Sequence, residues 1–211
     1  MSDYVTGAAG AREDLCRYLA GCYYQPGKEF SEERLFDSML AAASAIDPVL
    51  AESARRLGAA FAAEDIETLL VDYTALFIGP SQPRAMPYAS FWLTADPSLR
   101  HEATMAVLDF YAQGGFDVSA EIHELPDHVA VELEFLYALT FAQNQAHAGG
   151  NVEELSAARA LHRRFATEHL GVWIEPFAAA VTTGAATAFY RELAEFTRRF
   201  MRMEAESPVR D

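Results

Sequence analysis

The chain has little cysteine and no long apolar run among its 211 residues. Cys16 and Cys22 lie six apart in what the pattern predicts to be one helix, so they point in different directions and do not resemble a disulfide framework. No stretch reaches about eighteen apolar residues, and the first residues lack the basic and apolar regions of a secretory signal. We therefore expect a cytoplasmic protein without an integral membrane segment.

Basic residues are also scarce. Sixteen Lys and Arg side chains stand against 31 Asp and Glu side chains, which gives a net charge of −15. The segment from Glu64 to Glu134 holds thirteen acids and two bases, Arg84 and Arg100, and so carries −11 of that charge. Such a field repels nucleic acid and anionic membranes and attracts a basic partner. An acidic surface also keeps a protein soluble, so both interpretations remain open.

The sequence lacks the alternating pattern of strands, internal repeats, a phosphate-binding glycine loop and a nucleophile motif. Helical periodicity is present instead in every long segment. The clearest apolar stripe predicts a helix over 65–78 and consists of Ile66, Leu69, Leu70, Tyr73, Leu76 and Phe77. We predict an all-α fold of about nine helices in a single globular domain that covers residues 1–211.

The predicted domain divides at a proline-rich hinge loop over 79–97, which holds four of the nine prolines. The loop separates an N-terminal half, 1–78, from a C-terminal half, 98–204, which a short tail, 205–211, follows. Loops of this length in compact domains are often functional or hinge-like. Because a hinge permits two chains to exchange halves, we expect a monomer with a possible domain-swapped dimer.

Cap and turn signals predict the other helix boundaries. Ser31 is expected to cap a helix that runs to about Ala45. A short helix is expected to open at Trp173 and to break near Gly184, and a last helix covers 186–203. His162 falls on the apolar side of its helix, which favours a core histidine over a ligand.

A polar turn leads directly into an apolar helix over Glu121–Phe135. Pro126 fits the first turn of that helix, where Glu124 or Asp127 can accept hydrogen bonds from free amide groups. The residue types favour helix capping by the acid and the imidazole at this end. A functional role for Asp127 and His128 remains the alternative.

The same residues do not predict a metal site or a catalytic site. His123 and His128 are five apart with Pro126 between them, whereas a zincin needs two histidines four apart on one helix. No Glu-x-x-His pair occurs, which argues against a carboxylate-bridged metal bundle. Asp127 and His128 are adjacent, so on a helix they would point about 100° apart and form no acid–base pair. We expect no metal, no cofactor and no enzymatic activity.

Three stretches carry a family resemblance. They are Tyr73-Thr-Ala-Leu-Phe-Ile-Gly-Pro80, Pro87-Tyr-Ala-Ser-Phe-Trp92, and Glu124-Leu-Pro-Asp-His128 followed by Glu132-Leu-Glu-Phe135. In this order and in an all-helical chain, they resemble the TorD/DmsD/NarJ family of redox-enzyme maturation chaperones.

The resemblance implies a cytoplasmic, cofactor-free chaperone. It would bind the twin-arginine signal peptide and the apo-form of the catalytic subunit of a molybdopterin oxidoreductase, and so delay export until the cofactor is inserted. The positions that match the family's peptide site are Tyr73, Leu76, Phe77, Pro87, Tyr88, Ser90, Asp127 and His128, with Glu124 and Glu132 as secondary acidic contacts.

Other interpretations remain for these residues and for the whole chain. Simple core packing is the alternative for Leu76 and Phe77, and loop geometry is the alternative for Pro87 and Ser90. A helical regulatory or assembly module that binds another protein surface is the second function we consider, and a metal-dependent or acid–base hydrolase is the third.

Overall fold

Helices account for most of the backbone in the computed structural model, which describes residues 7–79, 82–117 and 124–206. Numbered in chain order, the α-helices of this part of the chain are α1 (Ala8–Cys22), α2 (Glu29–Glu32), α3 (Leu35–Ser44), α4 (Pro48–Ala62), α5 (Ile66–Tyr73), α6 (Ala89–Leu93), α7 (Arg100–Gly114), α8 (Val129–Ala148), α9 (Val152–Arg164), α10 (Leu170–Gly184) and α11 (Ala188–Glu206). Wider π-helical turns follow α5 and α9, and a 3₁₀ turn precedes α7.

Helix α8 lies in the middle of the molecule, against α1 on one side and α9 on another. A second layer forms where α11 packs against α4 and α10, and α3 packs against α1 and α4. One contiguous apolar core fills the space between them, and its largest fully buried side chain is Trp173. Apart from one isolated β-bridge, the described residues form no strand pairing. The predicted all-α, single-domain fold is confirmed.

Helices of the two predicted halves pack against one another. Helices α1 and α4 of the N-terminal half contact α8 and α11 of the C-terminal half. The described part of the predicted hinge loop, 82–97, also contains α6 and donates backbone hydrogen bonds from Arg84 and Ala85 to the carbonyls of Ala75 and Leu76. The hinge role of this segment and the exchange of halves between chains stay predictions.

The helix predicted from Ser31 to Ala45 is wrong as a single element. Arg34 has left-handed backbone angles (φ 53°, ψ 42°), which separate α2 from α3. Phe30 and Phe36 are six residues apart and would point in different directions on a continuous helix. The break lets both rings reach Phe61, at centroid distances of 6.0 and 4.5 Å.

The start predicted at Trp173 is also wrong, although the end at Gly184 is confirmed. A π-helical turn over Phe165–His169 joins α9 to α10 without a loop, and Trp173 already lies inside α10. Pro176 was the misleading signal, since proline usually starts a helix. Here it lies inside α10, where it removes one backbone donor from the helix.

Buried ion pairs join helices that are distant in sequence. Glu204 of α11 accepts a hydrogen bond from Arg12 Nε of α1 at 2.8 Å, and its other oxygen lies 3.1 Å from His162 Nε2 of α9. Burial acts to raise the pKa of Glu204, but the hydrogen bonds from His162 and Arg12 hold it below its ordinary value. His162 is thus the core histidine that the sequence predicts.

Asp72 fixes the start of α11 from a different helix. It is buried, and its carboxylate accepts from the backbone amides of Ala186 (3.0 Å) and Thr187 (2.8 Å) and from the Thr187 hydroxyl (2.7 Å). The acid therefore caps the N-terminus of the amphipathic helix α11 and ties it to α5.

We expect Asp72→Ala to lower the free energy of unfolding by about 3 kcal/mol, because the Ala186 amide and two donors of the buried Thr187 lose a charged acceptor. Asp96→Ala is the matched control, since Asp96 caps only the short turn at Pro97–Leu99, where it accepts from the amide of the exposed Ser98, and its loss costs about 1 kcal/mol. Urea unfolding of both variants measures the difference. Equal losses would contradict the role assigned to Asp72.

Candidate functional site

The second and third motifs meet at a short antiparallel bridge between Tyr88 and His128. The amide of Ala89 donates to the carbonyl of Asp127 at 2.9 Å, and the amide of Val129 donates to the carbonyl of Pro87 at 2.8 Å. This backbone pairing places α6 beside the first turn of α8. Two stretches about forty residues apart in the chain therefore form one local structure.

The cap of α8 differs from the prediction. The helix begins at Val129 rather than at Pro126, and its N-cap is His128, whose Nδ1 accepts from the amide of Ala130 at 3.2 Å. The prediction of capping by the imidazole is confirmed. Capping by Glu124 or Asp127 is wrong for α8, because Asp127 caps α6 instead: its Oδ2 accepts from the amide of Ser90 at 3.0 Å.

Asp127 is fully buried, and only one of its oxygens has this role. Among the described residues, none donates a hydrogen bond to Oδ1. A buried carboxylate oxygen without a donor is costly, so natural proteins keep such groups mainly where they have a use. The oxygen is an acceptor that a ligand could engage after a small movement of its surroundings.

A row of side chains runs along this junction, with partly exposed residues toward both ends and the buried ring of His128 in its middle. Tyr24 donates from its hydroxyl to Glu134 Oε1 at 2.9 Å, and Tyr88 donates to Glu124 Oε2 at 3.1 Å. The ring of His128 lies between the two tyrosines, 6.2 Å from Tyr24 and 5.3 Å from Tyr88 between ring centroids. We call this row, in the order Glu134, Tyr24, His128, Tyr88 and Glu124, the tyrosine–glutamate strip.

The strip combines negative charge with neutral rings. Burial and the neighbouring Glu124 raise the pKa of Tyr88 to about 12, so its hydroxyl remains a donor at neutral pH. Burial lowers the pKa of His128, although Glu124 and Asp127 oppose that shift, so its ring is uncharged at neutral pH. Burial raises the pKa of Glu134, and the hydrogen bond from Tyr24 opposes that shift.

The first motif lies behind the strip rather than on it. Tyr73 is buried and packs against Phe77 with 5.2 Å between ring centroids. Burial and the charge of Glu124 raise the pKa of Tyr73 to about 12. Leu76 and Phe77 are core residues, which is the alternative interpretation that the sequence offers for them.

The remaining predicted site residues are likewise buried. Pro87 accepts a backbone hydrogen bond in the bridge, and Ser90 supplies the amide that Asp127 caps. Both are therefore placed by loop geometry. Their contact with a ligand stays a prediction.

Glu132, the predicted secondary acidic contact, faces the interior. Its carboxylate lies 2.9 Å from His169 Nε2 and accepts from the indole nitrogen of Trp173 at 3.0 Å. Burial raises the pKa of Glu132, while the pKa of His169 is raised by Glu132 against the effect of burial. These contacts join α8 to the π-helical turn over Phe165–His169 and to α10 inside the core, so a ligand does not reach Glu132 in this structure.

Two members of the strip were missed by the sequence analysis. Tyr24 lies in the turn after α1, and Glu134 belongs to the third motif but was counted only as one of the acids. Glu134 could have been singled out because it lies on the one partly exposed face of α8, a helix that is otherwise buried. Tyr24 had no comparable signal, because its nearness to Glu134 follows from the packing of α1 on α8.

Two findings on the described ranges bear on other functions. No group of three or more His, Cys, Asp and Glu side chains there is arranged to hold a metal ion. In the same ranges, each helix is either too short or too polar to cross a membrane.

Comparison with known proteins gives close relatives among chaperones. A perchlorate reductase assembly chaperone protein of Dechloromonas aromatica is 32% identical over 179 residues, which cover 82% of this chain and 76% of that protein. The chaperone protein TorD of Aliivibrio salmonicida is 27% identical over 138 residues, 65% of this chain and 63% of that protein. The chain thus spans less than two thirds of the TorD protein that it matches.

A family model described as nitrate reductase delta subunit matches residues 43–179, a range that contains all three motifs. The chain therefore belongs to this family, and the resemblance carried by the three motifs is confirmed. The relatives are named as chaperones rather than enzymes, in agreement with the prediction of a non-catalytic protein.

A solved structure supports the fold. A crystal structure from Archaeoglobus fulgidus, described as a candidate redox enzyme maturation protein, superposes with a TM-score of 0.56 and covers 90% of this chain and 93% of its own. The two sequences are 23% identical. At that identity the likeness concerns the helical architecture alone.

We expect Asp127→Asn to preserve stability and Asp127→Ala to lose about 1–3 kcal/mol, because asparagine can still accept from the Ser90 amide whereas alanine leaves that buried donor unpaired. Thermal unfolding of both variants tests this. Equal destabilisation by the two substitutions would show that the charge of Asp127, rather than its cap, holds α6 in place.

Proposed function

We propose that this protein is a maturation chaperone that binds the twin-arginine signal peptide of a molybdopterin oxidoreductase. It holds the apo-form of the catalytic subunit and delays export until the cofactor is inserted. The assembly role named for its perchlorate reductase relative supports the client class. The tyrosine–glutamate strip supports the choice of an arginine-bearing peptide as ligand.

The observation that carries the proposal is the order of groups along the strip. A carboxylate stands at each end, Glu134 and Glu124, and three rings lie between them. A guanidinium group binds a carboxylate through paired, charge-assisted hydrogen bonds and also stacks on aromatic faces. Two neighbouring arginines could therefore each take one carboxylate and one tyrosine ring.

The strip is prepared for this ligand. Within the described residues, each carboxylate accepts a hydrogen bond from one tyrosine hydroxyl. Each carboxylate oxygen has two acceptor sites, so both oxygens can still pair with an incoming guanidinium group. Because the side chains are ordered beforehand, binding loses less conformational entropy. The His128 ring is buried and uncharged, so it packs against both tyrosine rings without adding a positive charge that would repel arginine.

The wider charge distribution favours the same ligand. Four of the five strip residues come from the acidic segment Glu64–Glu134, which holds thirteen acids and two bases. A field of this sign speeds the approach of a basic peptide and weakens as salt screens it. Delay of export then follows from occupancy, since arginines held by the strip are not free to meet an export receptor.

We expect Glu124→Gln and Glu134→Gln each to weaken a twin-arginine peptide about tenfold or more, because each removes one charged acceptor of a guanidinium group. Glu67→Gln is the matched control, since it removes the same charge from an exposed site on α5. Titration calorimetry of each variant at low and high salt separates the loss of a local contact from the loss of general negative charge, which all three substitutions share.

Peptides with lysine or glutamine in place of both arginines complete the experiment. Lysine should bind more weakly than arginine, because an ammonium group cannot pair with both oxygens of a carboxylate. If Glu67→Gln weakens binding as much as the strip variants do, the acidic field rather than the strip is responsible. If the wild-type chain binds the arginine and glutamine peptides equally, the proposed function is wrong.

Peptide affinity should also depend on pH. The pKa of Glu134 is raised above its ordinary value of 4.5, mainly by burial. Its carboxylate is charged above that raised pKa and becomes protonated as the pH falls through it, so affinity should fall at a higher pH than an ordinary glutamate would give. Glu134→Gln should remove this step from a pH series of affinities. A step unchanged in the variant would assign the titration to another group.

A further inference from the structure

A cluster of buried ionisable side chains, Asp127, Glu132 and His169, lies behind the strip. The two acids are fully buried, and His169 is 4% exposed. Glu132 lies 2.9 Å from His169 Nε2, and its other oxygen accepts from the Trp173 indole at 3.0 Å. Asp127 uses Oδ2 for the Ser90 amide, and none of the described residues donates to Oδ1. The cluster therefore contains two carboxylates and one imidazole.

A distortion of the helix brings His169 to this cluster. The π-helical turn over Phe165–His169 ends α9 and leads directly into α10. Gly171 permits this turn, because a side chain there would collide with the carbonyl oxygen of Ala166. Single π-helical turns within helices occur frequently at functional sites. The inward position of His169 thus depends on a local irregularity that regular helical geometry would not give.

Aromatic rings pack on His169. Its ring lies 5.6 Å from the ring of Phe110 on α7 and stacks on the ring of Phe165 in its own turn, with 5.4 Å between centroids. Tyr111 of α7 adds no charge, because burial raises the pKa of its hydroxyl well above the ordinary value.

The charges that act on His169 are those of Glu132 and Asp127. The helices that pack on its turn are α9, α10 and α11. Three sets of charged side chains on these helices and this turn have partners other than His169: Arg164 with Glu168, Glu204 with Arg12 and His162, and Glu175 with Arg198 and Arg202.

Asp127 acts both on the strip and on the interior. Burial raises the pKa of Tyr88, and the charges of Glu124 and Asp127 add to that shift. Burial acts to lower the pKa of His169, but the charges of Glu132 and Asp127 raise it above its ordinary value of 6.5. Charges interact more strongly in the interior of a protein than in water. Asp127 is therefore a charge that the strip and the Glu132–His169 pair share.

We propose that Asp127 couples the strip to the Glu132–His169 pair, so that an arginine peptide bound on the strip releases protons from His169. The inference rests on the proposed function. A guanidinium group on the strip offsets the charge of Asp127, and Oδ1 is the acceptor that it can engage. The imidazolium then loses part of its stabilisation. Its proton passes from one ring nitrogen to a buffer base, and the other nitrogen keeps its hydrogen bond to Glu132.

The coupling has a defined sign. His169 is charged below its raised pKa and neutral above it. Because the bound peptide favours the neutral ring, peptide affinity should rise as the pH increases through that raised pKa, which lies above 6.5. Titration of Glu134 also makes affinity rise with pH, from an ordinary value of 4.5. The His169 step should persist in Glu134→Gln, whereas the Glu134 step should not.

The test compares His169→Gln with His147→Gln. Glutamine does not titrate but can still donate to Glu132, and His147 is an exposed histidine near the far end of α8. Titration calorimetry of an N-acetylated Arg-Arg peptide near neutral pH, in two buffers of different ionisation enthalpy, counts the protons released. Wild type and His147→Gln should release protons and gain about fivefold in affinity as His169 becomes neutral, the lower end of ordinary coupling between sites. His169→Gln should lose both effects.

Nuclear magnetic resonance of the histidine rings gives a measurement on the unaltered chain. The His169 ring is identified by its contact with Phe165, and its titration midpoint should fall when peptide is bound. In Asp127→Asn, which lacks the shared charge, saturating peptide should leave that midpoint unchanged. Equal midpoints with and without peptide in the wild type, or equal proton release by wild type and His169→Gln, would overturn the coupling and leave the proposed function intact. If the wild type binds no twin-arginine peptide, both proposals fail.

Discussion

The backbone pairing between Pro87–Ala89 and Asp127–Val129 is the constraint on which the rest of this site depends. Two interstrand hydrogen bonds fix the start of the central helix beside a five-residue helix that could not persist alone. The Asp127 carboxylate then caps that short helix from across the pair. The side chains of Tyr88 and His128 come together only because the main chain has been joined first.

Buried carboxylates likewise join distant segments of the chain elsewhere in the molecule. Asp72, Glu132 and Glu204 are each nearly inaccessible and each bind groups on helices far away in sequence. Helices satisfy their own backbone groups, so their mutual positions depend on side chains. Part of the large negative charge is therefore structural, and only the remainder is available to a partner.

The sequence predicted a helix well where apolar periodicity is clear, as for the stripe over 65–78, which forms α5 and the π-helical turn after it. The prediction of helix bounds failed at Arg34, whose left-handed backbone angles break a predicted helix, and at Pro176, which lies inside a helix instead of near its start. The motifs indicated where the candidate site lies, but only some of the predicted residues are exposed enough to contact a ligand. Leu76 lies in the core, and Glu132 binds His169 and Trp173 in the interior. Tyr24 could be found only from the packing of α1 on α8.

The strip draws one ring from near the start of the chain and its acids from far along it, with Tyr24 on one side and Glu124 and Glu134 on the other. During synthesis it does not exist until residue 134 has been made and α8 has docked on α1. An incomplete or half-folded copy presents scattered acids but no paired acceptors. If the strip is the binding site proposed above, copies in which α8 has not docked on α1 do not compete for the ligand.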